Sequence, residues 1–256
     1  MSARLILVAG LALGLGCAAA PLPVTPAATP PPAGVAAAWP AAYSDAIRDA
    51  LNPEPGEVVT NLIAIVPANP RLVWQQSPEG ARVLVVSLVA NPAFYPPPGS
   101  PYNTGPRDVW VTAVPEMRDA CTQPGFGRGD LAMRLRQVFG LTPNAELTAF
   151  VELWVLPSQL FRPAADNEIT DTTAGLTMPA ATEPWYRAWF NELRAKQYFQ
   201  SSSPPHDAYP WTQLGYTHDW GSANHQGQSE FVIRQQSSVM VNGITPYQTY
   251  CSPAPK

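Results

Sequence analysis

The three histidines, His206, His218 and His225, lie close together near the C-terminal end, each beside a polar neighbour: Asp207, Asp219 and Asn224. An imidazole next to a carboxylate is a pairing used for general acid–base catalysis and for metal ligation. If Leu214–Trp220 is a strand, Leu214, Tyr216, His218 and Trp220 share one face and Asp219 takes the other. A hairpin of that strand with Glu230–Arg234 has two informative registers. One sets His218 opposite Glu230 as a charge-assisted pair. The other sets Asp219 opposite Glu230, two like charges that favour a shared proton or a bound cation. His218, Asp219 and Glu230 are therefore the candidate catalytic residues, with His206 or His225 assisting. Trp211, Tyr216 and Trp220 are candidate binding residues that would wall such a site. The plainer reading is one half-buried histidine and two loop histidines. The spacing matches no zinc signature and there is no H-E-x-x-H, so neither metal nor cofactor is expected.

Other polar groups offer less. Asp166, Glu168 and Asp171 bring oxygen ligands close in sequence, but the pattern is not that of an EF-hand, and a solvated loop is the plainer reading. Gly125-Phe126-Gly127-Arg128-Gly129 precedes a helix and lacks the Lys-Ser or Lys-Thr of a P-loop. Glu152 falls inside an apolar strand, where a carboxylate needs a partner, and Arg162 is the candidate ion-pair partner and a candidate binding residue. No serine stands in G-x-S-x-G, and the cysteines lack a nucleophile's surroundings.

The elements that would position these groups follow from local signals. Tyr43–Leu51 reads as a short helix stopped by Pro53 and Pro55. Glu57–Val66, Arg71–Gln76, Arg82–Val89 and Asp108–Val114 read as strands, with a turn at Ser77-Pro78-Glu79-Gly80. Asn91–Gly105, with five prolines, reads as a loop. Asp130 caps a helix over Leu131–Phe139, and Gly140 and Pro143 end it. Glu146–Leu156 is apolar on both faces and is expected to be central. Pro184–Tyr198 reads as a helix with Trp185, Trp189 and Leu193 facing inward, and Leu214–Trp220 and Glu230–Val241 as late strands. The pattern lacks βαβ alternation. It predicts a single α+β domain over residues 41–256, a mainly antiparallel sheet with two or three helices.

The N-terminal residues read as an address and a tether. Arg4 precedes an uncharged apolar run, Leu5–Leu15, that is too short to span a bilayer but suits an export signal. Two processing routes fit. Gly14-Leu15-Gly16-Cys17 resembles a lipobox, with Cys17 as the lipidated residue of a signal spanning residues 1–17. Ala18-Ala19-Ala20 instead fits an A-x-A cleavage site. Residues 18–40 form a Pro/Ala-rich linker, with seven prolines and no charge between Pro21 and Pro40; such a segment favours extended polyproline II. The chain has three cysteines. With Cys17 lipidated or removed, Cys121 and Cys251 remain as a candidate disulfide in an oxidising compartment. The net charge of −4 gives no reason to expect nucleic-acid binding.

The runs Phe150-Val151-Glu152-Leu153-Trp154-Val155, Leu160-Phe161-Arg162-Pro163 and Asp166–Asp171 resemble a family of exported bacterial proteins, putting the chain beside candidate lipoproteins. Tyr209–Trp220 and Ser229-Glu230-Phe231-Val232 add to the resemblance, which covers roughly the C-terminal half. It implies export and transfers no activity. In that family the loop after Arg162-Pro163 carries cysteines; here Ala164 and Ala174 stand in the region. The sequence thus leads to an extracytoplasmic protein, a periplasmic or cell-surface lipoprotein or otherwise secreted. It would be membrane-attached through Cys17 and would bind a protein or small-molecule ligand. The rival expectation is an extracytoplasmic hydrolase using His218, Asp219 and Glu230.

Overall fold

The computed structural model describes residues 41–199 and 209–252. The expected signal peptide with Cys17, the Pro/Ala-rich linker and His206 lie outside the described residues. The elements run α1 (Ala41–Ala50), β1 (Trp74–Ser77), β2 (Gly80–Val89), β3 (Pro101–Asn103), β4 (Val109–Ala113), α2 (Val114–Cys121) and α3 (Leu131–Val138). They continue with β5 (Ala149–Val155), β6 (Leu160–Phe161), α4 (Pro184–Tyr198), β7 (Tyr216–His218), β8 (Gln226–Ser229), β9 (Phe231–Ile233), β10 (Ser238–Pro246) and α5 (Tyr247–Tyr250). The fold is α+β, as the sequence predicts.

Eight strands form one antiparallel sheet in the order β3-β10-β5-β2-β4-β9-β6, with β1 paired to β2. β5 lies between β10 and β2 along its whole length, which is why its sequence is apolar on both faces. Side-chain alternation then sorts the core. Val83, Val85, Val151, Leu153, Phe231 and Ile233 point to one face, against Ile63, Ile65, Leu72 and Ile169. Leu84, Val86 and Phe150 point to the other, under Met117, Leu135 and Val138 of α2 and α3. Further along that second face, Phe161 and Val232 lie under Tyr186 and Phe190 of α4, with Trp211. The two helical groups therefore cover one side of the sheet as separate clusters.

Several local expectations change. Residues 57–66 form no ladder. Leu62 N–H donates to Thr172 O at 3.0 Å, Ile65 N–H to Ile169 O at 2.7 Å and Ile63 N–H to Ser229 Oγ at 2.8 Å. The Val/Ile pattern there reflects burial against the sheet, with loops satisfying the backbone. The Pro-rich stretch before β4 contains β3. α2 and the single-turn α5 add to the three helices read from the sequence, making five among the described residues. α2 starts directly after β4, with a proline in its first turn, Pro115. Within α4 the fully buried face is Tyr186 and Phe190, with Trp185, Trp189 and Leu193 only partly buried. The Tyr186 hydroxyl sets that phase: it lies 2.6 Å from Ala164 O and accepts from Ala164 N–H at 3.1 Å.

The disulfide joins Cys121 of α2 to Cys251, with Cα atoms 5.1 Å apart across 130 residues of chain. It fastens the C-terminal turn against β5, where Tyr250 stacks on Phe150 at 4.2 Å. In the chain-entropy account a loop of this length contributes about 4–5 kcal/mol. No helix among the described residues is long and apolar enough to cross a membrane.

Candidate functional site

The late hairpin forms with different partners from those expected. β7 pairs with β8, so that Tyr216 faces Ser229 and His218 faces Gln226. The turn closes early because Ser222 N–H bonds Asp219 O (3.1 Å) and Asp219 N–H returns to His225 O (2.8 Å). Glu230 stands just after β8, its N–H on Gly215 O at 2.8 Å. His218, Asp219 and Glu230 consequently go to three separate environments, and the expected triad does not assemble.

Asp219 is structural. It is 2% exposed and takes a two-pronged ion pair from Arg134 of α3, Nη1 to Oδ1 at 2.6 Å and Nη2 to Oδ2. Its Oδ1 also accepts Gly221 N–H at 3.1 Å. Arg162 is likewise structural, fully buried and donating to Ile63 O, Thr173 O and both the carboxylate and the backbone carbonyl of Asp171. It does not meet Glu152, which pairs with Arg118 at 3.3 Å and accepts from Asn242 at 2.7 Å. The acidic loop is held by its own hydrogen bonds: Glu168 accepts from Thr170 and Asp171 N–H, and Asp171 from Thr173 N–H. The three candidate binding aromatics are buried, and each polar tip is matched to a backbone carbonyl. Trp211 bonds Pro163 O (2.9 Å), Tyr216 bonds Glu57 O (3.0 Å) and Trp220 bonds Leu141 O (3.1 Å). Trp220 lines neither cavity described below, Tyr216 borders the smaller of them and Trp211 the larger.

That cavity, of about 400 Å³, lies where the two helical clusters meet on the sheet. Val86, Leu88 and Trp110 line it from β2 and β4, and Tyr95, Phe139, Tyr209 and Trp211 come from the surrounding segments. The Trp110 ring is nearly perpendicular to both Tyr209 and Trp211, at 85° in each case. Among these apolar walls stands the Glu230 carboxyl. Among the described residues it has no hydrogen-bond or ion-pair partner, and burial alone pushes its pKa up to about 8. The buried Glu116 provides the contrast. Burial raises it too, but it accepts hydrogen bonds from Ser229 N–H (3.1 Å), Ser229 Oγ (3.0 Å) and Thr112 Oγ1 (3.2 Å), which act in the opposite direction. The other charged groups at the cavity are occupied: Arg107 donates to the Tyr102 hydroxyl at 2.7 Å and Asp108 accepts Trp189 Nε1 at 2.8 Å.

His218 belongs to a second site, with Asp49 of α1 and His225 of the β7–β8 turn. His218 Nε2 lies 3.0 Å and His225 Nδ1 3.5 Å from Asp49 Oδ2. Burial chiefly lowers the His218 pKa, opposed by the hydrogen bond with Asp49. The group opens on a cavity of about 340 Å³ whose wall includes Glu57, Tyr216 and Gln226. Burial, with the charge of Asp49 assisting, raises the Glu57 carboxyl.

Sequence reasoning found Glu230, Trp211, His218 and His225 but not what surrounds them. Trp110 reads only as a core residue, Tyr209 carries no local signal, and Asp49 is one polar residue on a short helix. Its place near the helix C-terminus, where a negative charge is disfavoured, was the available cue. Comparison of the chain with family models, curated proteins and solved structures found no match.

Proposed function

We propose that the protein is an exported, lipid-anchored binding protein for a small, largely apolar organic cation, held in the cavity beside Glu230. The carrying observation is a partnerless carboxyl enclosed by aromatic walls. A carboxyl without partners among apolar walls is costly, and native proteins keep such groups where a ligand completes them. Aromatic faces attract cations, and a carboxylate among them supplies the counter-charge. Export is supported by the N-terminal sequence and is compatible with the Cys121–Cys251 disulfide. The Pro/Ala-rich tether would hold the domain near a membrane surface.

The test uses benzyltrimethylammonium, whose charge does not change with pH, and the neutral benzyl alcohol. Trp110 and Trp211 line the cavity and supply a fluorescence signal. Saturable quenching by the cation is expected, tighter than by the alcohol by about tenfold at pH 8.5, above the raised pKa of Glu230. In Glu230→Gln that preference disappears. Absence of saturable binding, or an undiminished preference in Glu230→Gln, would refute the reading.

A further inference from the structure

We propose that Asp49, His218 and His225 form a binding site for a divalent transition-metal ion of the zinc class. This goes beyond the ligand cavity and rests on different residues. It also departs from the expectation, drawn from spacing alone, that the chain holds no metal.

The geometry is close to that of a coordination sphere. One ligand atom from each residue can be chosen so that all three lie within 4.8 Å of one another. Zinc bound tetrahedrally at about 2.0–2.1 Å separates its ligands by about 3.3–3.4 Å. The 3.0 Å and 3.5 Å separations from Asp49 Oδ2 bracket that edge. The two imidazoles lie side by side, centroids 4.8 Å apart and planes 31° from parallel, over the same carboxylate oxygen. His225, with 51% of its side chain exposed, has room to close the remaining distance, while the buried His218 provides a fixed point.

Two features of the backbone favour a cation there. Asp49 is in the last turn of α1, where carbonyl dipoles oppose a negative charge and a positive ion offsets them. His225 holds φ at +55°, a left-handed conformation unusual for a residue with a side chain. Its backbone is fixed on both sides, N–H to Ser222 O and carbonyl to Asp219 N–H. The turn is anchored from behind by the Asp219–Arg134 ion pair. Local strain is thus spent on presenting an imidazole toward Asp49.

The donor set fixes the class of ion. Two imidazole nitrogens and one carboxylate oxygen suit zinc and its transition-metal neighbours, whereas calcium and magnesium prefer oxygen throughout. Three protein ligands would leave a coordination position open, and all three residues line the cavity bordered by Glu57 and Gln226. An ion there would tie α1 to the β7–β8 hairpin, two parts of the chain 169 residues apart at the Asp49–His218 contact.

The experiment uses the full mature chain, disulfide intact, without a histidine tag and freed of metal by chelation. Zinc is titrated by calorimetry and by thermal shift, and cobalt by visible absorption. One equivalent of zinc is expected to bind with a micromolar or lower dissociation constant and raise Tm, and cobalt to show the intense d–d bands of low coordination number. His225→Ala and Asp49→Asn alter exposed side chains and are expected to fold normally, yet each weakens zinc binding by about tenfold or more. His206→Ala is expected to leave the affinity unchanged. Absence of saturable binding would reduce the cluster to a hydrogen-bonded imidazole pair. Binding that survives both variants would place the ion elsewhere on the surface. Either result overturns the proposal.

Discussion

Glu116 takes both polar hydrogens of Ser229, the backbone N–H at 3.1 Å and the hydroxyl at 3.0 Å. The next residue, Glu230, turns a half-buried carboxyl to the cavity and has none among the described residues. Two glutamates are therefore brought to adjacent points of β8 and its continuation, one completed by the protein and one left for something else. A buried carboxyl without partners costs stability, and such groups persist where binding or catalysis uses them.

Replacing Glu230 with Leu removes that cost while keeping the volume similar. Urea unfolding is expected to show stability unchanged or increased by about 1–2 kcal/mol. Glu116→Ala, which strands the Ser229 and Thr112 donors, is expected to lose about 2–3 kcal/mol. A Glu230→Leu protein that unfolds more easily by a similar amount would mean that Glu230 is a structural carboxyl after all.

The pH dependence follows with a definite sign. Glu230 has a folded-state pKa near 8 against an ordinary value of 4.5. Between those values the folded protein binds more protons at this site than the unfolded chain, so stability falls as pH rises. The contribution is whole below the ordinary value of 4.5, is lost as pH rises through about 8, and the curve flattens about a unit above that. His218, lowered from 6.5, contributes the opposite slope in the acid range, losing stability as pH falls. Subtracting the Glu230→Gln profile from that of the parent isolates the Glu230 part. A difference curve that is level from pH 5 to pH 8 would exclude the raised pKa.

What the sequence made legible was local. Asp130 accepts Met133 N–H at 2.9 Å as the N-cap of α3, and Gly140 follows the helix with φ at +63°. The Pro184–Tyr198 helix and the Cys121–Cys251 pairing were equally readable, from a proline start and a parity argument. Where a signal recorded burial rather than hydrogen bonding, it misled: in Glu57–Val66, Ile63 and Ile65 cover the sheet and Leu62 packs on Leu214 and Tyr216, and the segment joins no ladder. The phase of α4 was missed by one position, since Tyr186 is drawn inward by Arg162 O and Ala164 O, which no helical period reveals. The hairpin register depended on Gly227. A Cβ there would sit 2.2 Å from Thr217 Oγ1, so only glycine lets β8 approach β7 at that point. Read as part of a loop, Gly227 hid the strand, and with it the separation of His218 from Glu230. The cavity is tertiary and has no local trace, and the Asp49 contact left only the cue of a carboxylate near a helix C-terminus.

A lipid anchor at Cys17, as proposed, predicts a change of location. Cys17→Ser is expected to move the protein from the membrane fraction to the soluble fraction and to abolish fatty-acid labelling, with ligand binding intact. A parent protein that carries no label and fractionates identically would rule out lipidation and leave simple secretion.

Arg162 provides the sharpest separation of structure from function. Its guanidinium reaches Ile63 O at 3.2 Å, Thr173 O at 2.6 Å, Asp171 O at 2.9 Å and Asp171 Oδ1 at 3.0 Å, with the side chain fully buried. It thereby joins the segment around Ile63 to the acidic loop at Asp171 and Thr173. Lysine cannot fork to several carbonyls, and methionine leaves them all unpaired. Arg162→Met is expected to cost about 3–5 kcal/mol, the range for removing one member of a buried charged network. Gly215 is the companion test. It adopts φ of +78°, and a Cβ on it would lie 2.4 Å from Arg162 Cδ, so Gly215→Ala both strains the backbone and displaces the guanidinium. Chemical unfolding should rank both variants well below the parent, while the folded fraction of each binds benzyltrimethylammonium as before. If instead Arg162→Met keeps the parent's unfolding midpoint and loses ligand affinity, Arg162 is a binding residue, as its place in the sequence first suggested.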